Sequence, residues 1–270
     1  MRAVPAPDPL DTWVAHAVEK PGATGIFTDF DGTLAPIVDD PAAARAVDGA
    51  VDALHRLAAR FGVVAVISGR PVRFLMDRLE LSTRPQATNL VVAGLYGLER
   101  ARGSAVELHP DAGRWAEAVA DAAARAEADA PPDVLVERKG LSFTLHVRTS
   151  PMSADWARSW IEACAAATGL VSHPARMSYE LRPPVEIDKG TVVAELLDDM
   201  SAGCFLGDDL GDLPAFDALD RLTADRGLAG LKVGVRSAEA PQELIERADV
   251  LVEGPVGSAQ LLERLGLDGA

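Results

Sequence analysis

The stretch GIFTDFDGTLAPIVDD, Gly25 to Asp40, decides how this chain is read. A short apolar run from Ile26 carries Asp29 into its end, places Asp31 two residues on, and breaks at Gly32 and Pro36. The run suits a buried strand. If the strand persists that far, the i, i+2 spacing puts both carboxylates on one side. Like charges about 4 Å apart repel by roughly 4 kcal/mol at an effective dielectric of 20. Two acids at one strand end therefore imply a counter-charge between them.

Working outward, GVVAVIS (Gly62 to Ser68) and NLVVAG (Asn89 to Gly94) are further apolar runs of strand length. Between the first two runs, Val51, Leu54, Leu57 and Ala58 form a helical stripe from Asp48 to Arg60, with Asp48 as the expected N-cap. Pro71 opens another helix. Strands alternating with helices predict a parallel sheet wrapped by helices.

From about Arg102 the pattern changes. AVELH leads into an Ala-rich helix predicted over Asp111 to Asp129, stopped by Pro131 and Pro132. VLVERK and LSFTLHVR follow. In the latter, Leu141, Phe143, Leu145 and Val147 share one face, and Ser142, Thr144, His146 and Arg148 the other. Strict alternation marks a half-buried antiparallel strand. A helix from Ser153 to Thr168 and a hairpin over LVSHPARMSYELRP complete this block. The βα pattern resumes after Pro184, with a helix starting near Asp188, strands in CFLGDD and LKVGV, and helices at about Pro241 to Arg247 and Ser258 to Leu265. The expected organisation is a core in two parts, residues 1–102 and 184–270, interrupted by an inserted α+β cap at 103–183.

Composition sets limits. The chain has 270 residues, is 48% hydrophobic and only 5% aromatic, so aliphatic packing dominates a full core. A net charge of −15 disfavours nucleic acid and anionic membranes as partners. An anionic substrate would need local positive charge, and only four of the 26 basic residues are lysines: Lys20, Lys139, Lys189 and Lys232. Cys164 and Cys204 have no CxxC spacing and suit packing in a reduced compartment. The N-terminal stretch has no apolar segment of a secretion signal, and the run Val63 to Ile67 is too short to span a bilayer. A cytoplasmic monomer is expected.

Ligands of open parallel sheets collect beyond the carboxyl ends of the strands. Asp29 and Asp31, Ser68 of ISGR, Lys189 of EIDKGT, and Asp208, Asp209 and Asp212 of FLGDDLGD all fall at that edge. Clustered carboxylates need a cation, and hard oxygen donors suit Mg²⁺. Asp29 can then attack phosphorus as a nucleophile. Asp31 can protonate the leaving alcohol and later activate water. Asp29, the Asp31 backbone carbonyl and Asp208 would hold the cation. Ser68 would hydrogen-bond a phosphoryl oxygen, and Lys189 would supply fixed positive charge. Asp209 and Asp212 would cap the next helix or reach the cation through water.

In this order, DFDGTL, ISGR, DKG and GDDLGD resemble the four motifs of the haloacid dehalogenase superfamily of aspartyl-phosphate hydrolases. More narrowly, DFDGTLAPIVDDP, SGRP, ERKGLSFTLHVR, ELRPPVEIDKGT and FLGDDLGD resemble the trehalose-6-phosphate phosphatases from about Gly25 to Pro255. The resemblance implies a Rossmann-like parallel-sheet hydrolase core with an inserted α+β cap, Mg²⁺ as cofactor, and a small sugar phosphate as substrate. It places Gly69 and Arg70 beside Ser68 at the substrate, and assigns Glu137, Lys139 and Glu180 of the cap to the trehalose hydroxyls, with His146 and Arg148 beside them. Tyr96 of GLYGLE stands where many relatives carry His. The alternatives are a capped phosphatase for sucrose phosphate or mannosyl-3-phosphoglycerate, and a sugar-phosphate sensor without turnover. The intact set of Asp29, Asp31, Lys189 and Asp208 argues against the sensor. A haloalkanoate dehalogenase is disfavoured because a halide needs no acid such as Asp31.

Overall fold

The computed structural model describes residues 8–84, 88–175 and 177–267. Residues 1–7, the start of the N-terminal stretch read as lacking a secretion signal, and residue 176 of the expected hairpin lie outside them.

Two compact units form. One combines Met1–Val106 with Ile187–Ala270, and the other is Glu107–Glu186. Sequence patterning set the crossings a few residues earlier, at 102/103 and 183/184. The first unit opens with α1 (Pro9–Glu19), β1 (Thr24–Thr28), α2 (Ala50–Ala58), β2 (Val63–Ile67), α3 (Val72–Arg78), β3 (Leu90–Gly94) and β4 (Glu99–Arg102), and β5 (Ala105–Leu108) straddles the crossing to the second. The second unit holds α4 (Ala116–Asp129), β6 (Leu135–Arg138), β7 (Phe143–His146), α5 (Ala154–Thr168), β8 (Val171–Ala175) and β9 (Ser178–Arg182). The chain then returns to the first unit through α6 (Lys189–Leu196), β10 (Ala202–Gly207), α7 (Leu213–Arg226), β11 (Ala229–Arg236), α8 (Gln242–Arg247), β12 (Val250–Glu253) and α9 (Gly254–Leu267).

The large sheet runs β12-β11-β10-β1-β2-β3-β4-β5. Its pairs from β12 to β3 are parallel, and β4 joins β3 antiparallel. Every residue of β1, β2, β3 and β10 is buried, as expected of strands covered on both faces. After β1 the chain steps outward to β3 on one side and later re-enters at β10 on the other. The connections diverge at the switch between β1 and β10, and ligands of such sheets collect beyond the carboxyl ends of the strands there. Asp29 and Asp208 follow these two strands directly.

Three helix starts differ from expectation; α4, expected from Asp111, begins at Ala116 behind a 3₁₀ turn at Gly113–Trp115. Asp48 does not cap α2; Gly49 occupies that position at φ 82°, with no side-chain cap. Glycine reaches this left-handed geometry without the Cβ clash that Asp48 would meet. Helix α9 begins at Gly254, four residues before Ser258, because Pro255 sits in a first turn where its missing N–H costs nothing.

The second unit's sheet has the order β6-β7-β9-β8, antiparallel throughout. Phe143, Leu145 and Leu181 bury one face against Val119, Ala122, Ala123 and Ala126 of α4 and Ile161 of α5. Alanines on α4 keep that helix surface thin, so the large side chains of the sheet fill the layer. Glu137, Thr144, Glu180 and His173 are in register across the opposite face.

Candidate active site

The site grows out of the turn after β1. The Asp29 N–H donates to the Leu206 carbonyl at 2.9 Å, which keeps residue 29 in strand pairing beside β10. The chain then folds back, with Gly32 N–H donating to the Ala35 carbonyl at 2.7 Å. Gly32 has φ 78°, and a Cβ there would come within 2.0 Å of Asp208 Oδ2. Glycine is thus required twice, by backbone conformation and by the approach of the carboxylate. Thr33 of the same turn donates its hydroxyl to Asp208 Oδ1 at 2.8 Å.

Asp29, Asp208 and Asp212 are buried, and each offers a carboxylate oxygen within 4.8 Å of the others. Lys189, at the first position of α6, reaches them with Nζ 2.7 Å from Asp212 Oδ1 and 3.0 Å from Asp29 Oδ1. Asp188 caps that helix by accepting from Thr191 N–H at 2.8 Å, which fixes where Lys189 leaves the backbone. Asp212 has both oxygens engaged, since Oδ2 accepts the backbone N–H groups of Asp208 and Asp209 at 2.9 and 3.1 Å. It therefore shapes the turn carrying Asp208. Asp209 accepts from Gly211 N–H and closes a reciprocal capping box with Asp212.

Burial raises the Asp29 pKa well above the usual carboxylate value; Lys189 opposes the rise, and Asp212 and Asp208 add to it. Burial, with Asp212 and Asp209 nearby, pushes Asp208 up to about 8. Burial likewise raises Asp212 against the pull of Lys189. For Lys189, burial disfavours the charge, but Asp212 and Asp29 outweigh it and hold the ammonium protonated. Three buried carboxylates face one ammonium. The residual negative charge and the all-oxygen donors suit a divalent hard cation. Asp29 Oδ1, which receives no aligned hydrogen bond among the described residues, fits the same need.

Asp31 goes elsewhere. Its carboxylate takes a two-pronged pair from Arg70, with Nε to Oδ2 and Nη2 to Oδ1 both at 2.7 Å. Ser68 is buried after β2 and its hydroxyl accepts from Arg70 N–H at 3.3 Å. A Cβ on Gly69 would fall 2.7 Å from the Tyr96 hydroxyl oxygen, so the absence of a side chain there admits Tyr96. Tyr96 itself holds φ 60°, and its N–H donates to the Ser68 carbonyl at 3.0 Å.

The second unit holds a separate network. Lys139 Nζ lies between two acids, 3.6 Å from Glu180 Oε1 and 3.9 Å from Glu137 Oε2. Ser142 donates to Glu180 at 2.6 Å, and His146 Nε2 pairs with Glu137 at 2.8 Å. Glu137, Lys139, Glu180 and His146 thus share one polar face, while Arg148 lies partly buried just beyond β7. Sequence reasoning did not single out Thr33 or Ser142, although both stand inside the quoted motifs. Nor did it foresee His173, whose Nδ1 accepts from Arg182 at 3.0 Å.

This topology, with a parallel core carrying acids at the β1–β10 switch and an α+β insertion, defines a hydrolase fold of the haloacid dehalogenase type. The narrower family follows from sequence: residues 27–246 match the trehalose-phosphatase family model, and the chain belongs to that family. It is 36% identical over 259 residues to a trehalose-phosphate phosphatase of Mycolicibacterium paratuberculosis, covering 89% of this chain and 61% of that protein. It thus spans about three fifths of the length of such curated relatives. An uncharacterized glycosyl hydrolase of Mycobacterium tuberculosis is 34% identical over 258 residues, covering 90% of this chain but 18% of that protein. Among solved structures, the C-terminal domain of a C. albicans trehalose-6-phosphate phosphatase superposes with a TM-score of 0.73 at 21% identity, covering 97% of this chain and 98% of that one. That likeness speaks for the fold.

Proposed function

We propose that this chain hydrolyses the phosphate ester of trehalose 6-phosphate, releasing trehalose and inorganic phosphate through a phosphorylated Asp29. The observation that carries the reading is the buried set of Asp29, Asp208 and Lys189 at the β1–β10 switch. Such a set stabilises charge on a transferring phosphoryl group with little reorganisation. Asp29 attacks phosphorus as the P–O bond to the sugar breaks. Asp31 gives its proton to the departing sugar oxygen, then takes one from water as that water attacks the acyl phosphate. Phosphate leaves and Asp29 is restored. Lys189 holds Asp29 in place, and Ser68 would hydrogen-bond a phosphoryl oxygen. Mg²⁺, which Asp29, Asp208 and the Asp31 backbone carbonyl would hold, supplies neutralisation of phosphoryl charge when bound.

Membership of the trehalose-phosphatase family supports the sugar. So does the cap face, where Lys139 lies within 4 Å of two carboxylates without closing a short hydrogen bond to either. Such groups suit an array of hydroxyls. The test is phosphate release from a panel comprising trehalose 6-phosphate, sucrose phosphate and mannosyl-3-phosphoglycerate, with Mg²⁺ and with EDTA. Preference for trehalose 6-phosphate, lost in EDTA, is the expected result. Preference for another ester would overturn the substrate, and turnover undiminished in EDTA would overturn the cation.

A further inference from the structure

All three guanidinium nitrogens of Arg70 donate to the segment after β1. Nε and Nη2 grip both oxygens of Asp31, and Nη1 donates to the Pro41 carbonyl at 2.8 Å. The guanidinium carbon lies 4.8 Å from the Phe74 ring centroid. Only 13% of the side chain is exposed, against 30% for Asp31. Phe74 is itself braced. Arg78 stacks on the ring at 4.6 Å and donates to the carbonyls of Ala42 and Ala44, both at 2.9 Å. The ring edge meets Phe30 at 5.9 Å and 89°. Phe30 separates Asp29 from Asp31. Helix α3 and its preceding loop therefore brace the turn after β1 at residues 30 and 31 and again at 41–44.

We infer that Arg70 is a positioning residue, which fixes the Asp31 carboxylate in one orientation through its planar fork, and is not a contact for the phosphoryl group. The inference rests on the acid/base reading of Asp31. A planar fork fixes both oxygens of a carboxylate at once, which an ammonium on a flexible stem does not. The pair is anchored on a third side by Pro41 and on its face by Phe74, so the fork has little freedom to swing. What Arg70 contributes is orientation, and losing it should fall on the proton-transfer step.

Two variants read this out, Arg70→Gln and Arg70→Lys, each assayed on trehalose 6-phosphate and on p-nitrophenyl phosphate after thermal unfolding has shown a folded protein. Both variants are expected to lower kcat on the sugar phosphate by about 100-fold, the scale of acid catalysis, with KM changed less than about threefold. The nitrophenolate leaves without a proton, so its release in a single turnover, which precedes the water-activating step, stays within about threefold of wild type. In an Asp31→Asn background, adding Arg70→Gln costs nothing further. Parallel rises in KM on both esters, restoration of turnover by the Lys variant, or unchanged kinetics would each overturn the inference. So would additive losses in the double variant. If the wild type prefers a different alkyl phosphate, the proposed substrate fails and the same comparison is run on that ester. A wild type inactive on every phosphate ester overturns both.

Discussion

At the residue scale, the carboxylates after β1 are distinguished by what holds them. Asp29 meets an ammonium in a buried cluster, whereas Asp31 meets a guanidinium at a partly open edge. Asp29→Asn is expected to abolish Mg²⁺-dependent phosphate release while the protein remains folded, because an amide is a poor nucleophile and a poor cation ligand. Circular dichroism together with released phosphate checks this, and more than a trace of turnover would remove Asp29 from the nucleophile's role. Gly32→Ala should act differently. A left-handed conformation costs a residue with a Cβ about 1–2 kcal/mol, and that Cβ would also displace Asp208. A lower melting temperature and a higher Mg²⁺ requirement are expected together; stability loss alone would mean that Asp208 needs no exact placement.

At the element scale, strand alternation separates the second unit's sheet into an apolar face and a polar one. Phe143, Leu145 and Leu181 face the helices, and the Glu137–Thr144–Glu180–His173 row faces away from them. Truncating Glu180 or Lys139 is expected to impair turnover of trehalose 6-phosphate strongly and that of p-nitrophenyl phosphate hardly at all. Hydroxyl-reading hydrogen bonds contribute about 0.5–1.5 kcal/mol each, and more when charged, whereas the aryl ester has no hydroxyls to read. Equal losses on both esters would assign these residues to the fold. His173 gives the same sheet a pH dependence. Burial first, and the Arg182 guanidinium after it, lower its pKa to about 4 against the opposing pull of Glu180. The neutral ring is therefore favoured in the fold, and its contribution is fully present above about pH 6.5 and lost as pH falls towards 4. A shift of that size corresponds to about 3 kcal/mol, which partial exposure to solvent screens to about 1–2 kcal/mol. Melting temperature should fall over this window, and His173→Asn should flatten the decline; an unchanged slope would exclude His173 as its source.

At the scale of the whole molecule, a cation held by the buried acids would couple its binding to folding. Three buried carboxylates against one ammonium destabilise the cation-free protein, and a cation bound only by the folded state stabilises it by about 2.7 kcal/mol at 100 times its Kd. Thermal unfolding should shift upward with Mg²⁺. Above about pH 8, where Asp208 carries its charge, Asp208→Asn has one repelling charge fewer and should unfold in EDTA at a temperature no lower than wild type, gaining nothing from Mg²⁺. A preserved Mg²⁺ shift in that variant would move the cation away from Asp208. Among the described residues, no helix is long and apolar enough to cross a membrane.

The sequence by itself determined the layers. All-apolar runs of strand length bounded by turn residues, such as Val63 to Ile67, read as strands buried on both faces, and the alternation in Phe143 to His146 as a sheet with one wet side. These readings depend on local period, which is written in neighbouring residues. The sequence also marked Asp29, Lys189 and Asp208, because ligands of a parallel sheet collect at the edge where its strands end and these groups fall in loops and helix starts at that edge. What only the tertiary structure decided is how partners divide among themselves. Arg70 is 39 residues from Asp31, and Thr33 is 175 from Asp208. Asp212, legible as a helix cap, proves to be the buried hub that joins Lys189 to the backbone of Asp208. Such assignments follow from the few ångströms that separate side chains once the sheet is assembled. No local pattern encodes that distance, because a charge is satisfied by whichever opposite group the fold brings within reach.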